Sequence, residues 1–258
     1  MDTPLSAFAI RGKRALVTGA SQGIGVAIVH ALAAAGVDLV LSARHRQPLQ
    51  ALAGQLTERH RIRVAIETAE LDEAAEVERL ASASLAAFNG LDILVNNAGI
   101  SIPEKVVDIS VAAWDNTMAV NLRAPALLAS RVGAAMAEAG KGGKIINISS
   151  AAGITALAGH YSYSVSKAAL SMATKMLALE LGPANIQTNV ICPTVVMTEM
   201  GQRVWGDEKK AAPLLSRIPA GHFADPDDVA YAVLYLASPA SDMVNGIELP
   251  VDGGYSAV

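Results

Sequence analysis

The chain has a single cysteine, few aromatic side chains and no apolar run long enough to span a bilayer. One cysteine, Cys192, rules out an intramolecular disulfide framework and fits a reducing compartment. A membrane helix needs about 18 or more consecutive apolar residues, and no stretch supplies them. Residues 1–13 lack the apolar core of a secretory leader, so the cytoplasm is the expected location. The five histidines are scattered and never pair with Cys192 at metal-ligand spacing, so no metal is expected. A net charge of −4 gives no electrostatic footprint for nucleic acid or an anionic membrane as partner. With 52% hydrophobic but only 4% aromatic residues, the core must be aliphatic.

What is present is a rhythm. Short apolar runs at 14–18, 38–42, 63–68, 92–95, 144–148, 187–192 and 247–251 read as strands. Longer amphipathic stretches at 24–35, 47–60, 73–88, 111–139, 161–181 and 226–237 read as helices, the fourth broken near Pro125. Gly36 is the expected stop of the first helix. Strands alternating with helices predict an α/β fold: one doubly wound domain over residues 1–258, its parallel sheet of about seven strands covered by helices on both faces. The rhythm fails at 197–220, which carries Gly201, Gly206, Pro213 and Pro219. Segments leaving strand C-termini border the binding crevice in such sheets, so this one is expected to be a substrate lid.

The first strand runs into Thr18-Gly19-Ala20-Ser21-Gln22-Gly23-Ile24-Gly25. Gly19 permits the tight turn, Gly23 lets the main chain approach a pyrophosphate, and Gly25 lets the helix pack close. Ser21, Gln22 and Ile24 complete a turn whose helix N-terminus offers free N–H groups and a positive dipole to phosphates. The end of the second strand selects the cofactor. A carboxylate there would bind the adenosine ribose, but Ala43 stands at that place and Arg44 follows, with a fork suited to a 2′-phosphate. NADP(H) is therefore expected, with NAD(H) the alternative. Asn97 and Gly99, in Asn96-Asn97-Ala98-Gly99 after the fourth strand, suit bracing of that turn and close approach to a cofactor; read alone, the stretch is an ordinary turn.

Tyr163 and Lys167 lie one helical turn apart, with Ser150 thirteen residues upstream. A free tyrosine ionises near pH ~10, and an ammonium on the same helix face, aided by an oxidised nicotinamide, draws that value down. Such a phenol donates a proton to a forming alkoxide or accepts one in reverse, while Ser150 bonds the carbonyl oxygen as charge develops. Each residue alone has an ordinary reading, a surface pair on a helix or a helix entry.

Together these motifs resemble the short-chain dehydrogenase/reductase family from end to end, which implies a Rossmann-type domain and a nicotinamide-dependent oxidoreductase. The resemblance implies a tetrad of Asn121, Ser150, Tyr163 and Lys167, with Ser150 chosen over Ser149 by its spacing to the tyrosine. Asn121 would hold a water linking Lys167 to solvent. Tyr163, Lys167, Val196, Thr198, Glu70 and Leu71 would join the cofactor contacts. Around 178–183, 193–202 and 217–219 the chain is similar to the branch of dicarbonyl/L-xylulose reductases, which implies reduction of small polar ketones (ketoses and α-dicarbonyls), reversible as polyol oxidation. In that branch His160 and Trp205 would line the substrate pocket with Ser150 and Tyr163. As residues, a helix-start histidine and a loop anchor remain open for the two. Reduction of a sugar acid such as 5-ketogluconate, or of a 3-oxoacyl group, needs the same apparatus, and a nucleotide-binding sensor without turnover stays a reading of another class. The tail at 251–255 resembles the family's, which implies a homotetramer.

Overall fold

The computed structural model describes residues 4–258, the side chains of residues 4, 5 and 200 apart, so the first three residues of the expected domain lie outside it. Seven strands form one sheet: β1 (Arg14–Thr18), β2 (Asp38–Ala43), β3 (Val64–Thr68), β4 (Ile93–Asn96), β5 (Gly143–Ile148), β6 (Ile186–Pro193) and β7 (Glu248–Val251). Their order is β3-β2-β1-β4-β5-β6-β7, and every pair is parallel. This is the doubly wound arrangement that the alternation predicts.

Successive strand side chains point to opposite faces, and both faces are dry. Val17, Leu39 and Leu41 pack with α1 (Gly23–Ala34), α2 (Arg46–His60) and α9 (Pro226–Ala237). Their sequence neighbours Leu16 and Val40 face α3 (Ala74–Ala87) and α5 (Ala124–Ala139), with Leu177 and Leu181 of α6 (Tyr161–Leu181) at the margin. Truncating a fully buried leucine such as Leu16 to alanine costs about 2–5 kcal/mol. The amino ends of the strands are tied by ion pairs: Arg14 to Asp92 at 2.7 Å, Arg63 to Asp38 at 2.6 Å and Lys144 to Asp242 at 2.8 Å.

The long helix breaks near Pro125, as expected, and the break has a definite form: α4 (Val111–Met118) gives way to a π-helical turn, Ala119–Arg123, in which the Ala124 N–H donates to the Ala119 carbonyl. Pro125 sits in the first turn of α5, where its missing N–H is harmless. The 197–220 segment, where the rhythm fails, is partly helical. It holds α7 (Glu199–Trp205), capped by Thr198, and α8 (Glu208–Leu215), capped by Asp207, whose carboxylate accepts from the N–H groups of Lys209 and Lys210. Among the described residues no helix is long and apolar enough to cross a membrane.

Strand order reverses between β1 and β4, so the loops leaving their carboxyl ends diverge and open a crevice there. The glycine turn, Asn97 and Gly99 all sit at that opening.

Candidate active site

The crevice has a volume of about 840 Å³, within the range for a cofactor-sized ligand. Of the expected cofactor contacts, Gly19, Ser21, Gln22, Gly23, Ile24, Gly25, Arg44, Glu70, Leu71, Asn97, Gly99 and Thr198 line it. The turn is held from the side by Asn97, whose Nδ2 donates to the carbonyls of Thr18 and Gly19 at 2.9 and 3.2 Å. The Thr18 hydroxyl accepts in return from the N–H groups of Asn97 and Ala98, both at 3.1 Å. Gly25 is where helix and strand meet most closely: a Cβ there would lie 2.0 Å from the Gly19 carbonyl oxygen. A Cβ on Gly23, at φ +56°, would meet the Thr198 methyl at 3.2 Å, so the lid's first helix starts against the turn. Thr198 caps that helix, accepting from the Gly201 N–H at 3.1 Å, which leaves its hydroxyl proton free to donate. Val196 is buried with its carbonyl accepting from the Thr198 N–H at 2.8 Å, and it lies behind the crevice wall. Arg44 is exposed on the crevice rim and makes no ion pair among the described residues.

Gly99 joins this crevice to the chemical groups. A Cβ on it would stand 3.3 Å from Lys167 Nζ and 3.4 Å from Asn121 Oδ1. Lys167 is buried, donates to the Ile148 carbonyl at 2.8 Å, and its Nζ lies 5.7 Å from the Tyr163 ring centre. Burial lowers its pKa to about 8. Ser150 and Tyr163 are hydrogen-bonded through their side chains, and Ser150 also accepts from the Ala152 N–H at 3.1 Å. Ser149 points the other way, donating to the Lys167 carbonyl at 3.0 Å, and is buried. The serine chosen by spacing is the one that reaches the tyrosine.

In the protein alone, burial raises the Tyr163 pKa, and the opposing bond from Ser150 is the smaller effect. The Lys167 ammonium sits over the Tyr163 ring, and burial makes it easier to deprotonate. The Asn121 side chain is bonded within the protein. Oδ1 accepts from the Ile100 N–H at 2.9 Å, while Nδ2 donates to the Ile100 carbonyl at 2.9 Å and to Ser166 at 3.1 Å, so both amide hydrogens are used. From the π-helical turn it clamps the loop after β4 to the helix bearing Tyr163.

His160 lies beside the tyrosine, edge to face with ring centres 6.4 Å apart. Its Nδ1 is 3.1 Å from the Ala158 carbonyl, which only accepts, so Nδ1 carries the proton and Nε2 of the neutral ring is an acceptor. Trp205 is placed differently. Its ring packs on Phe223 at 6.1 Å and under Lys210 at 5.7 Å, within a cluster of Ala211, Ile218, Phe223 and Tyr255. These are the contacts of a loop anchor. The cluster also includes Ala151, next to Ser150, so the 197–220 segment packs against the loop that carries Ser150.

Some groups escaped the sequence reading. Asn96 donates to Asn147 at 2.9 Å, and Asn147 donates to Thr174 at 2.8 Å, a buried polar chain tying β4, β5 and α6 together. Glu199 and Arg203 line the crevice from α7 and pair at 2.8 Å. Their spacing of four, directly after a threonine cap, was the available signal. Cys192 is buried beneath the site, its thiol pushed up to about 11, and offers no reactive thiolate.

Residues 19–256 match the family described as enoyl-(acyl carrier protein) reductase. The L-xylulose reductase of Mesocricetus auratus is 42% identical over 246 residues, covering 95% of this chain and 97% of that protein. The chain belongs to the short-chain dehydrogenase/reductase family. Another relative, the D-threitol dehydrogenase of Mycolicibacterium smegmatis, is 40% identical over 249 residues, with 96% of this chain and 95% of that protein covered. The crystal structure of a gluconate 5-dehydrogenase from Burkholderia cenocepacia J2315, in complex with NADP and tartrate, superposes with a TM-score of 0.93 at 32% identity, covering 99% of this chain and all of that one. As a short-chain dehydrogenase/reductase, the protein is an oxidoreductase.

Proposed function

We propose that this protein is an NADPH-dependent reductase of small polar ketones, ketoses such as L-xylulose and α-dicarbonyls, working in reverse as a polyol dehydrogenase. The observation that carries the reading is the Ser150–Tyr163–Lys167 cluster set behind Gly99 at one end of the crevice, with Arg44 at the other. The crevice fits a dinucleotide, because its turn is closed to any Cβ at Gly25 and opens main-chain N–H groups toward phosphates. Bound nicotinamide would supply or accept the hydride. Ser150 bonds the carbonyl oxygen of the substrate, and Tyr163 delivers the proton to that oxygen. Lys167 holds positive charge beside the phenol, and Asn121 fixes the two walls between which Lys167 lies.

Polar substrates are favoured by His160, whose Nε2 offers an acceptor to a hydroxyl beside the reacting carbon. The NADPH preference rests on Arg44, a guanidinium with no carboxylate partner among the described residues at the place where an acidic group would reject a 2′-phosphate. The relatives' names, L-xylulose reductase and D-threitol dehydrogenase, agree with a short polyol or ketose as substrate. A sugar acid is the second reading, favoured by the likeness to the gluconate 5-dehydrogenase. NADPH oxidation measured with L-xylulose, diacetyl, 5-ketogluconate and an acetoacetyl thioester separates these. Turnover of the thioester alone would overturn the proposal, and turnover of 5-ketogluconate alone would replace it with the second reading.

Association into a homotetramer is part of this proposal. Met172, Met176 and Leu179 make an exposed apolar stripe at i, i+4 and i+7 of α6, which a second copy would cover. Light scattering at a monomer mass would reject it.

A further inference from the structure

We infer that Arg203, on α7, is a ligand for the cofactor's pyrophosphate. The inference rests on the proposed dinucleotide site and adds a residue outside the glycine turn. The turn from Thr18 to Gly25 contains no lysine or arginine. Of the described residues lining the crevice, two carry fixed positive charge, Arg44 and Arg203. Arg44 stands at the end of β2, at the adenosine side. The remaining cation comes from the lid.

The geometry allows the contact. The Thr198 methyl lies against Gly23, whose added Cβ would meet it at 3.2 Å. Arg203 is five residues further along α7, about 7.5 Å of helix rise, a distance an arginine side chain spans by folding back toward the helix N-terminus. Glu199 and Arg203 occupy one face of that helix, and both border the crevice, so this face lies at its mouth. Their ion pair is exposed on both sides, 76% and 88%, and such pairs hold weakly. A pyrophosphate offers a planar guanidinium two acceptor oxygens and repels the Glu199 carboxylate. Arg203 therefore exchanges a weak partner for a stronger one when the dinucleotide enters.

Isothermal titration of the full-length protein with NADPH, NADH and adenosine 2′-monophosphate tests this without turnover. Arg203→Gln should weaken NADPH and NADH alike, by about tenfold or more as expected for a charged hydrogen bond. It should leave adenosine 2′-monophosphate, which has no pyrophosphate, unchanged. Arg44→Gln should weaken NADPH and adenosine 2′-monophosphate while sparing NADH, and Glu199→Gln should tighten both dinucleotides. Unchanged dinucleotide affinity in Arg203→Gln, or an equal loss for adenosine 2′-monophosphate, overturns the inference. A wild type that prefers NADH overturns only the assignment of Arg44, because both dinucleotides share the pyrophosphate. A wild type that binds neither overturns the proposed function and this inference with it.

Discussion

Replacing Gly25 by alanine adds one methyl group where helix α1 lies close against the main chain of the turn. That carbon would stand 2.0 Å from the Gly19 carbonyl oxygen and 2.8 Å from Asn97 Nδ2, whereas real Cβ atoms essentially never approach within 3.0 Å. Neither neighbour is the free end of a flexible chain: one is main chain and the other is already bonded to two carbonyls. Helix α1 must therefore retreat by about 1 Å, which strains packing by about 1–3 kcal/mol. The helix propensity of alanine returns less than ~1 kcal/mol. A net loss of roughly 1–2 kcal/mol lowers Tm by about 2–8 °C in a chain of this size. The retreat also moves the phosphate turn, so NADPH affinity should fall about tenfold or more. Gly54 supplies the control. It lies inside α2 with nothing within 4 Å of an added Cβ, and the same substitution there should raise stability by about 0.5–1 kcal/mol. Calorimetry and NADPH titration on the two variants decide the matter. A Gly25→Ala protein that melts with the wild type and binds NADPH as tightly would refute the close-packing account.

Three further outcomes follow from the same geometry. Tyr163→Phe keeps the ring and removes the proton, so turnover should vanish while titration shows unaltered NADPH binding. Ser149→Ala should cost about 1 kcal/mol of stability with kcat retained, whereas Ser150→Ala should lower kcat about 10²- to 10³-fold; steady-state kinetics giving the reverse pattern would exchange their roles. Lys167, with its pKa near 8, should produce a falling limb of kcat/KM above that pH. Between about pH 8 and ~10.4 the unfolded chain holds a proton on this residue that the folded chain has lost. Stability relative to Lys167→Met should accordingly rise across that window; a flat difference in denaturant titrations would count against the burial of the ammonium.

The sheet was readable because buried parallel strands appear as unbroken aliphatic runs, and each expected strand lies within one residue of its observed ends. The crevice residues were readable because glycines and an arginine at strand ends have few other uses. What stayed hidden depends on contacts distant in sequence. Pro125 drew attention as a helix breaker, yet the break is a π-helical turn that brings Asn121 to Ile100. Glycine and proline in 197–220 broke the strand–helix rhythm, and hid the caps at Thr198 and Asp207 that begin two helices. Spacing of four reports that a charge lies near Tyr163 but not the loss of water around it, which raises its pKa in the protein alone.

The ion pairs Arg14–Asp92, Arg63–Asp38 and Lys144–Asp242 all stitch the floor of the sheet, while glycines, amides and the lid crowd its rim. Because the two ends share little beyond the strands between them, rim loops could be exchanged to alter what is reduced without loosening the seams below. Thermal resilience and catalytic taste should therefore evolve, and be engineered, as separate properties of this protein.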